Sequence, residues 1–158
     1  MPDHLYNISH IESLEHILGY TFTNKQLLQH ALTHKTYAFE ARTPLEFNER
    51  LEFLGDSILN FVIAEYLYTS NKYFSEGELT RRRAQSVNNE FLANKAEELE
   101  LGKFLLLGKG EKKQNGANNR TNLANALEAI IGAIYLDSDM RMVTTFISEK
   151  IFTKEFQF

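Results

Sequence analysis

An all-α domain is what this sequence predicts, on three observations. No run of β-branched residues alternates with polar ones as a half-buried strand requires; apolar residues recur at helical spacing instead. Proline is confined to Pro2 and Pro44, so almost nothing inside the chain forbids a helix. Ser, Asn and Gly stand where helices would start and stop. At 158 residues and 43% hydrophobic content the chain suffices for one domain spanning 1–158, built from six or seven helices.

Taken in order, Ser9 with Glu12 reads as a capping box opening a short helix to Ile17, and Gly19 stops it. Asn24 caps a second helix with Leu27, Leu28 and Leu32 on one face. Residues 40–47, with Pro44, form a break. A long helix follows over 48–68. Leu51, Leu54, Ile58 and Val62 make it apolar nearly all round, which predicts extensive burial. Ser75 caps a helix over Glu76–Ser86, and residues 88–99 form the next. Residues 102–119, rich in Gly and Asn, read as loop. Thr121 or Asn122 opens a helix to Tyr135, and a last one runs over 138–152.

Composition narrows the function classes. The absence of Cys removes disulfide scaffolds, Cys-ligated zinc, iron–sulfur clusters and thiol nucleophiles together. The polar N-terminus lacks the pattern of a signal peptide, and no stretch approaches the roughly 20 apolar residues of a membrane span. A soluble, cytoplasmic protein with no membrane partner is expected. The net charge of −4 excludes a globally basic nucleic-acid coat, but the charge is uneven. Residues 1–80 carry five Lys/Arg against eleven Asp/Glu, whereas residues 81–120 carry nine against five. That distribution suits either scattered solvated faces or a metal-assembling site beside a phosphate-contacting surface.

The segment NERLEFLGDSIL, residues 48–59, carries the chemistry. At about 100° per residue, Glu49, Glu52 and Asp56 fall within an arc of about 60° on one helix face. Phe53, Leu59 and Ile63 flank them, so the face is not plainly polar. Like charges at this spacing repel, and Arg50 alone cannot neutralise three. A hard divalent cation can. The plainer alternative is an exposed acidic stripe with a few Lys partners. Downstream, NLANALEAIIGAIY is small and apolar apart from Asn125 and Glu128, which share a face, with Gly132 leaving room for close packing. Glu128 either completes the metal site or pairs with one of Arg81, Arg82 and Arg83.

NERLEFLGDSIL resembles the signature of the ribonuclease III family of double-strand-specific endoribonucleases. LGYTFTNKQLLQHALTHKTYAFE, EGELTRRRAQSVNNEFLA and LANALEAIIGAIYLDSD resemble other stretches of that family, in the same order, so that the likeness covers residues 11–151. The resemblance implies the all-helical endonuclease fold, forming a homodimer whose valley accepts an RNA duplex. It implies Mg²⁺, with Mn²⁺ as substitute, no small-molecule cofactor, products with 5′-phosphate and 3′-hydroxyl ends and a short 3′ overhang, and a place in rRNA or mRNA processing. Glu49, Glu52, Asp56 and Glu128 match the family's acidic metal site. Asp56 and Glu128 match the two on which the family's catalysis leans most. Glu76 and Glu78 lie where the family has an auxiliary acidic residue, and Phe53 matches one that packs across the dimer interface.

Two departures stand out. Asn125 occupies a position where the family's pattern has Asp, so this ligand brings a carbonyl but no charge. A natural variant whose other carboxylates hold the metal, a disabled enzyme, and a non-catalytic duplex-RNA-binding module all remain open; the first is favoured because the other acidic positions are intact. Family enzymes also usually continue into a double-stranded-RNA-binding domain, whereas this sequence stops at Phe158. An ordinary enzyme cut short is the expectation. Recognition of the duplex should be by shape, with phosphate contacts from Lys35, Arg81, Arg82, Arg83, Lys109, Lys112, Lys113 and Arg120. The segment GKGEKKQNGANNR is expected to order only on RNA, and His30 and His34 are left outside the catalytic set.

Overall fold

The structure, a computed structural model, describes residues 8–152. Helix α1 (Ile8–Leu18) already includes Ser9, which is therefore a helical residue and not the cap that its spacing to Glu12 suggested. Gly19 ends α1 at φ +68°, the left-handed conformation that favours glycine. Helix α2 (Lys25–Leu32) starts at Asn24, whose side chain accepts from the Gln26 N–H. Beyond it, Thr33 and Leu106 form a lone parallel bridge. Across that bridge the His34 N–H donates to the Leu106 carbonyl, and the Leu106 N–H to the Leu32 carbonyl, both at 2.9 Å. No strand forms among the described residues.

Helix α3 (Lys35–Glu40) was not expected from the sequence. Its cap is the imidazole of His34, which accepts from the Thr36 N–H, a residue outside the usual capping set. Helix α4 (Glu49–Ser70) then runs for 22 residues. Ser75 and Glu78 form a full capping box at the start of α5 (Glu76–Ser86), and Asn88 caps α6 (Asn89–Glu98). The segment read as loop is in fact built. It contains α7 (Lys109–Lys113) and two short 3₁₀ turns, at Leu101–Lys103 and Gly116–Asn118. Asn119 caps α8 (Arg120–Asp137), two to three residues ahead of the expected position. Asp139 caps α9 (Met140–Phe146), which starts two residues after the expected position and widens into a π turn over Ile147–Ile151.

Helix α8 is the axis of the fold. Its residues from Asn122 to Ile134 are buried except Asn125 and Glu128, and it packs along α4 more extensively than any other pair of elements. Helices α6 and α2 cover its other sides. The shared core is aliphatic: Leu59 and Ile63 of α4, Leu127, Ile130 and Ile134 of α8, Leu28 and Leu32 of α2, and Leu92 of α6. Each such side chain contributes about 1.5–3 kcal/mol on full burial.

At the α4–α8 crossing the two main chains nearly touch. A Cβ placed on Gly55 would lie 1.7 Å from the Glu128 carbonyl oxygen, and one on Gly132 would lie 2.4 Å from that of Leu51. Only glycine fits at either point. The face of α4 away from α8 is not buried, contrary to the all-round apolar pattern. Phe53 is 78% exposed, Phe61 53% and Tyr68 74%, in a stripe along that helix.

The crossing makes a stability prediction. Gly55→Ala should cost at least about 3 kcal/mol, because backbone rather than a flexible side chain must yield. Gly77→Ala, with nothing within 4 Å of its added Cβ, should gain up to about 1 kcal/mol. Denaturant unfolding of both variants checks the pair; similar small effects would contradict the close crossing.

Candidate active site

Helix α4 presents Glu49, Glu52 and Asp56 from its first two turns, and α8 presents Asn125 and Glu128 beside them. Because Gly55 sits against the Glu128 carbonyl, the residues flanking Gly55 are forced close to the third turn of α8. The electrostatics record that closeness. Burial raises the Glu128 carboxyl from 4.5 to about 8, with the Asp56 and Glu52 charges adding to the effect. Glu52 is also pushed up, by burial first and then by Glu49 and Asp56, with Lys35 opposing. Three carboxyl groups from two helices therefore act on one another as one unit.

Their partners differ. Glu49 is exposed and pairs with Lys35 of α3 at 2.9 Å, so the plainer reading of an acidic stripe with Lys partners holds for this one residue. Asp56 accepts from the Asn60 carboxamide at 2.9 Å. Glu52 and Glu128 pair with no cation among the described residues. The alternative that Glu128 is neutralised by the Arg run fails. Arg82 instead stacks on Phe74 at 4.1 Å, with its Nε buried and unpartnered, and Arg83 lines a cavity elsewhere. Among the described residues no three acidic or imidazole side chains are drawn into a ready-made metal cage.

A donor set of unpaired carboxylates plus one amide carbonyl fits a hard divalent cation. Such an ion would favour the ionised forms of Glu128 and Glu52, which burial first and neighbouring carboxylates second disfavour. Asn125, one turn before Glu128 on α8, is half-buried and adds no charge. Glu78 is committed to the cap of α5, where the Ser75 hydrogen bonds hold its carboxyl low. Glu76 bonds Thr80 at 2.9 Å, and neither residue is among the charges felt by Glu52 or Glu128.

The expected phosphate contacts divide. Arg81, Lys109, Lys112 and Lys113 are exposed. Lys35 is engaged at Glu49. Arg120 is not a loose contact: it bonds Glu90 at 2.8 Å, Glu97 at 2.9 Å and Asn94, all on α6. Nor does the Gly-rich segment wait for RNA to order. The Lys109 N–H donates to Glu40, the Gly108 N–H to Thr36 Oγ1 at 3.0 Å, and the Asn122 carboxamide to Glu111 at 2.7 Å. Burial pushes both His30 and His34 below the usual imidazole value.

A family model described as ribonuclease-III-like matches residues 24–155. The chain belongs to that family. This ribonuclease-III-like domain is 48% identical over 145 residues to Ribonuclease 3 of Oceanobacillus iheyensis, covering 91% of the chain and 64% of that protein. It is 48% identical over 136 residues to Ribonuclease 3 of Buchnera aphidicola from Acyrthosiphon pisum, covering 86% and 58%. The chain thus spans about three-fifths of the length of these curated relatives. Among solved structures, the nuclease domain of ribonuclease III from Campylobacter jejuni, described for flexibility in its dimer-forming region, superposes with a TM-score of 0.85 at 41% identity. That match covers 92% of this chain and 98% of the other. Dicer from Pichia stipitis matches at TM-score 0.60 and 27% identity, over 84% and 55%. The ribonuclease-III-like fold expected from NERLEFLGDSIL is the fold observed.

Sequence reasoning missed Gly55 as the contact point, although the Gly132 signal pointed to the same crossing. It also missed the Lys35–Glu49 pair and the continuation of the exposed face from Phe53 to Phe61 and Tyr68.

The raised Glu128 carboxyl fixes a pH dependence. Its folded value, about 8, lies above the unfolded 4.5, so its contribution favours folding below about pH 4.5 and is lost as pH climbs through about 8. Relative to wild type in EDTA, Glu128→Gln should therefore be little changed at pH 5 but more stable at pH 8. The difference should be on the order of 1–3 kcal/mol after screening of this half-buried group. Thermal melts at both pH values check it; an equal shift at both would contradict the account.

Proposed function

We propose that this domain is a metal-dependent endoribonuclease that hydrolyses phosphodiester bonds in double-stranded RNA, leaving 5′-phosphate and 3′-hydroxyl ends with a short 3′ overhang. The observation that carries the reading is the set of Glu52, Asp56 and Glu128: mutually repelling carboxyl groups, brought together by a glycine crossing and lacking cationic partners. Kinship with proteins named Ribonuclease 3 supports the reaction class.

Glu52, Asp56 and Glu128 would hold Mg²⁺, or Mn²⁺ in its place, with the Asn125 carbonyl as a neutral donor and Glu49 at the margin. A bound divalent cation supplies an activated water for in-line attack and neutralises the phosphoryl oxygens. The chain's own part is to present oxygen donors on two rigid helices and to hold Asp56 and Glu128 as the most important pair. Arg81, Lys109, Lys112 and Lys113 offer exposed cations to phosphates, while Lys35 neutralises Glu49 beside the approaching backbone. Arg82 and Arg83, stacked and cavity-lining, contribute less. Recognition rests on A-form shape rather than base identity.

The stripe of Phe53, Phe61 and Tyr68 is the face on which a second copy docks. Exposure this large on one helix face is otherwise costly, and dimer formation is described for the nuclease domain from Campylobacter jejuni. No described helix is long and apolar enough to cross a membrane; with an RNA substrate and no cysteine, a cytoplasmic role in rRNA or mRNA processing fits. Asn125 favours one second reading, a dimeric platform that binds duplex RNA without cutting it.

Incubation of the chain with a perfect RNA duplex, with Mg²⁺ or with EDTA, separates the two. Cleavage should require Mg²⁺, fall more than about 100-fold in Asp56→Ala, and rise in Asn125→Asp when Mg²⁺ is limiting. Retention of the duplex without cleavage, with Asp56→Ala and Asn125→Asp both silent at every Mg²⁺ concentration, would select the platform.

A further inference from the structure

We propose that Asn60 is a positioning residue for this site, holding the Asp56 carboxylate for a divalent cation; the inference rests on the nuclease reading above. Asn60 lies one turn beyond Asp56 on α4. Its Nδ2 donates at 2.9 Å to the main-chain carbonyl of Asp56 and at 2.9 Å to Asp56 Oδ1. The carboxamide carries two N–H groups, one for each acceptor, so the fork ties the side chain of Asp56 to its own backbone.

Asp56 needs such a tie. It is exposed, so no packing fixes its rotamer, and it lies within electrostatic reach of the Glu52 and Glu128 carboxyl groups. Left alone, the carboxylate gains by swinging away from both into water. The Asn60 bond opposes that swing and occupies only Oδ1, leaving Oδ2 without a hydrogen bond from any described residue. Other side chains of α4 bond back to main-chain carbonyls, as Ser57 does to Phe53 and Thr69 to Glu65. Those bonds serve the helix alone. Among the side-chain bonds recorded on α4, that of Asn60 is the one that also reaches a site carboxylate. Supporting partners of this kind, removed from metal ligands, cost about 10–100-fold in affinity.

Asn60→Ser and Asn60→Gln divide the two bonds. Serine can keep the main-chain bond but is too short for the carboxylate; glutamine one turn away can reach it. Mn²⁺ is titrated calorimetrically into the full chain without RNA, alongside melts in EDTA. Asn60→Ser should weaken Mn²⁺ binding about tenfold or more with an unchanged melt, and Asn60→Gln should stay close to wild type. In cleavage assays Asn60→Ser should need more Mg²⁺ for half-maximal rate while reaching a similar plateau. In an Asp56→Ala background Asn60→Ser should add nothing. Wild-type Mn²⁺ affinity in Asn60→Ser, or an equal further loss in the Asp56→Ala background, would overturn the role of Asn60 while leaving the metal site standing. A wild-type chain that binds no Mn²⁺ would overturn the metal reading and this inference with it.

Discussion

Two helices meet at Gly55 and Gly132, backbone against backbone, and the rest of the molecule is arranged around that contact. A side chain at either position would hold α4 and α8 apart by the width of a methyl group. Removing both brings the flanking residues within electrostatic reach. Asp56 follows Gly55 directly, Glu52 stands one turn before it, and Glu128 supplies the carbonyl against which Gly55 rests. The repulsion is opposed by the aliphatic core behind it, from Leu59 and Ile63 to Leu127 and Ile130. The hydrophobic packing thus keeps together groups that would separate in a looser structure.

A second set of ties frames the margin of the site. Helix α3 is short, yet it ties itself to two other parts of the chain: Lys35 holds Glu49, Thr36 receives the Gly108 N–H, and Glu40 receives the Lys109 N–H. The basic residues of α7 are therefore fixed relative to the acidic residues of α4. On the other flank, Arg120 joins the start of α8 to Glu90, Asn94 and Glu97 of α6. A cation that looks free in the sequence serves there as a structural clamp.

Short-range signals were the legible ones. Asn24 and Ser75 cap the helices they were expected to cap, because a cap depends on a few adjacent residues. Glu128 was conspicuous as a carboxylate in an apolar run, and it is where the electrostatic stress concentrates. Helix α3 was not legible, since six residues carry little periodicity and His34 is an uncommon cap. Helix α7 was hidden by its glycines, which signal turns regardless of what anchors them. The exposed face of α4 was misread for a deeper reason: apolar residues destined for a core and for a partner look alike in sequence. The Lys35–Glu49 pair joins residues separated by a proline-containing break, and nothing local announces it.

The central claim is that Glu52, Asp56 and Glu128 form a single charged unit completed by a divalent cation. Counting the protons released when Mg²⁺ binds tests it most directly, by calorimetry in buffers of different ionisation heat. Glu128, held near 8, carries a proton at pH 7 that the ion must displace, so about one proton per site should be released at pH 7 and almost none at pH 9.5. Glu128→Gln should abolish the release. Mg²⁺ binding with no proton released at pH 7, or the same release from Glu128→Gln, would contradict the account.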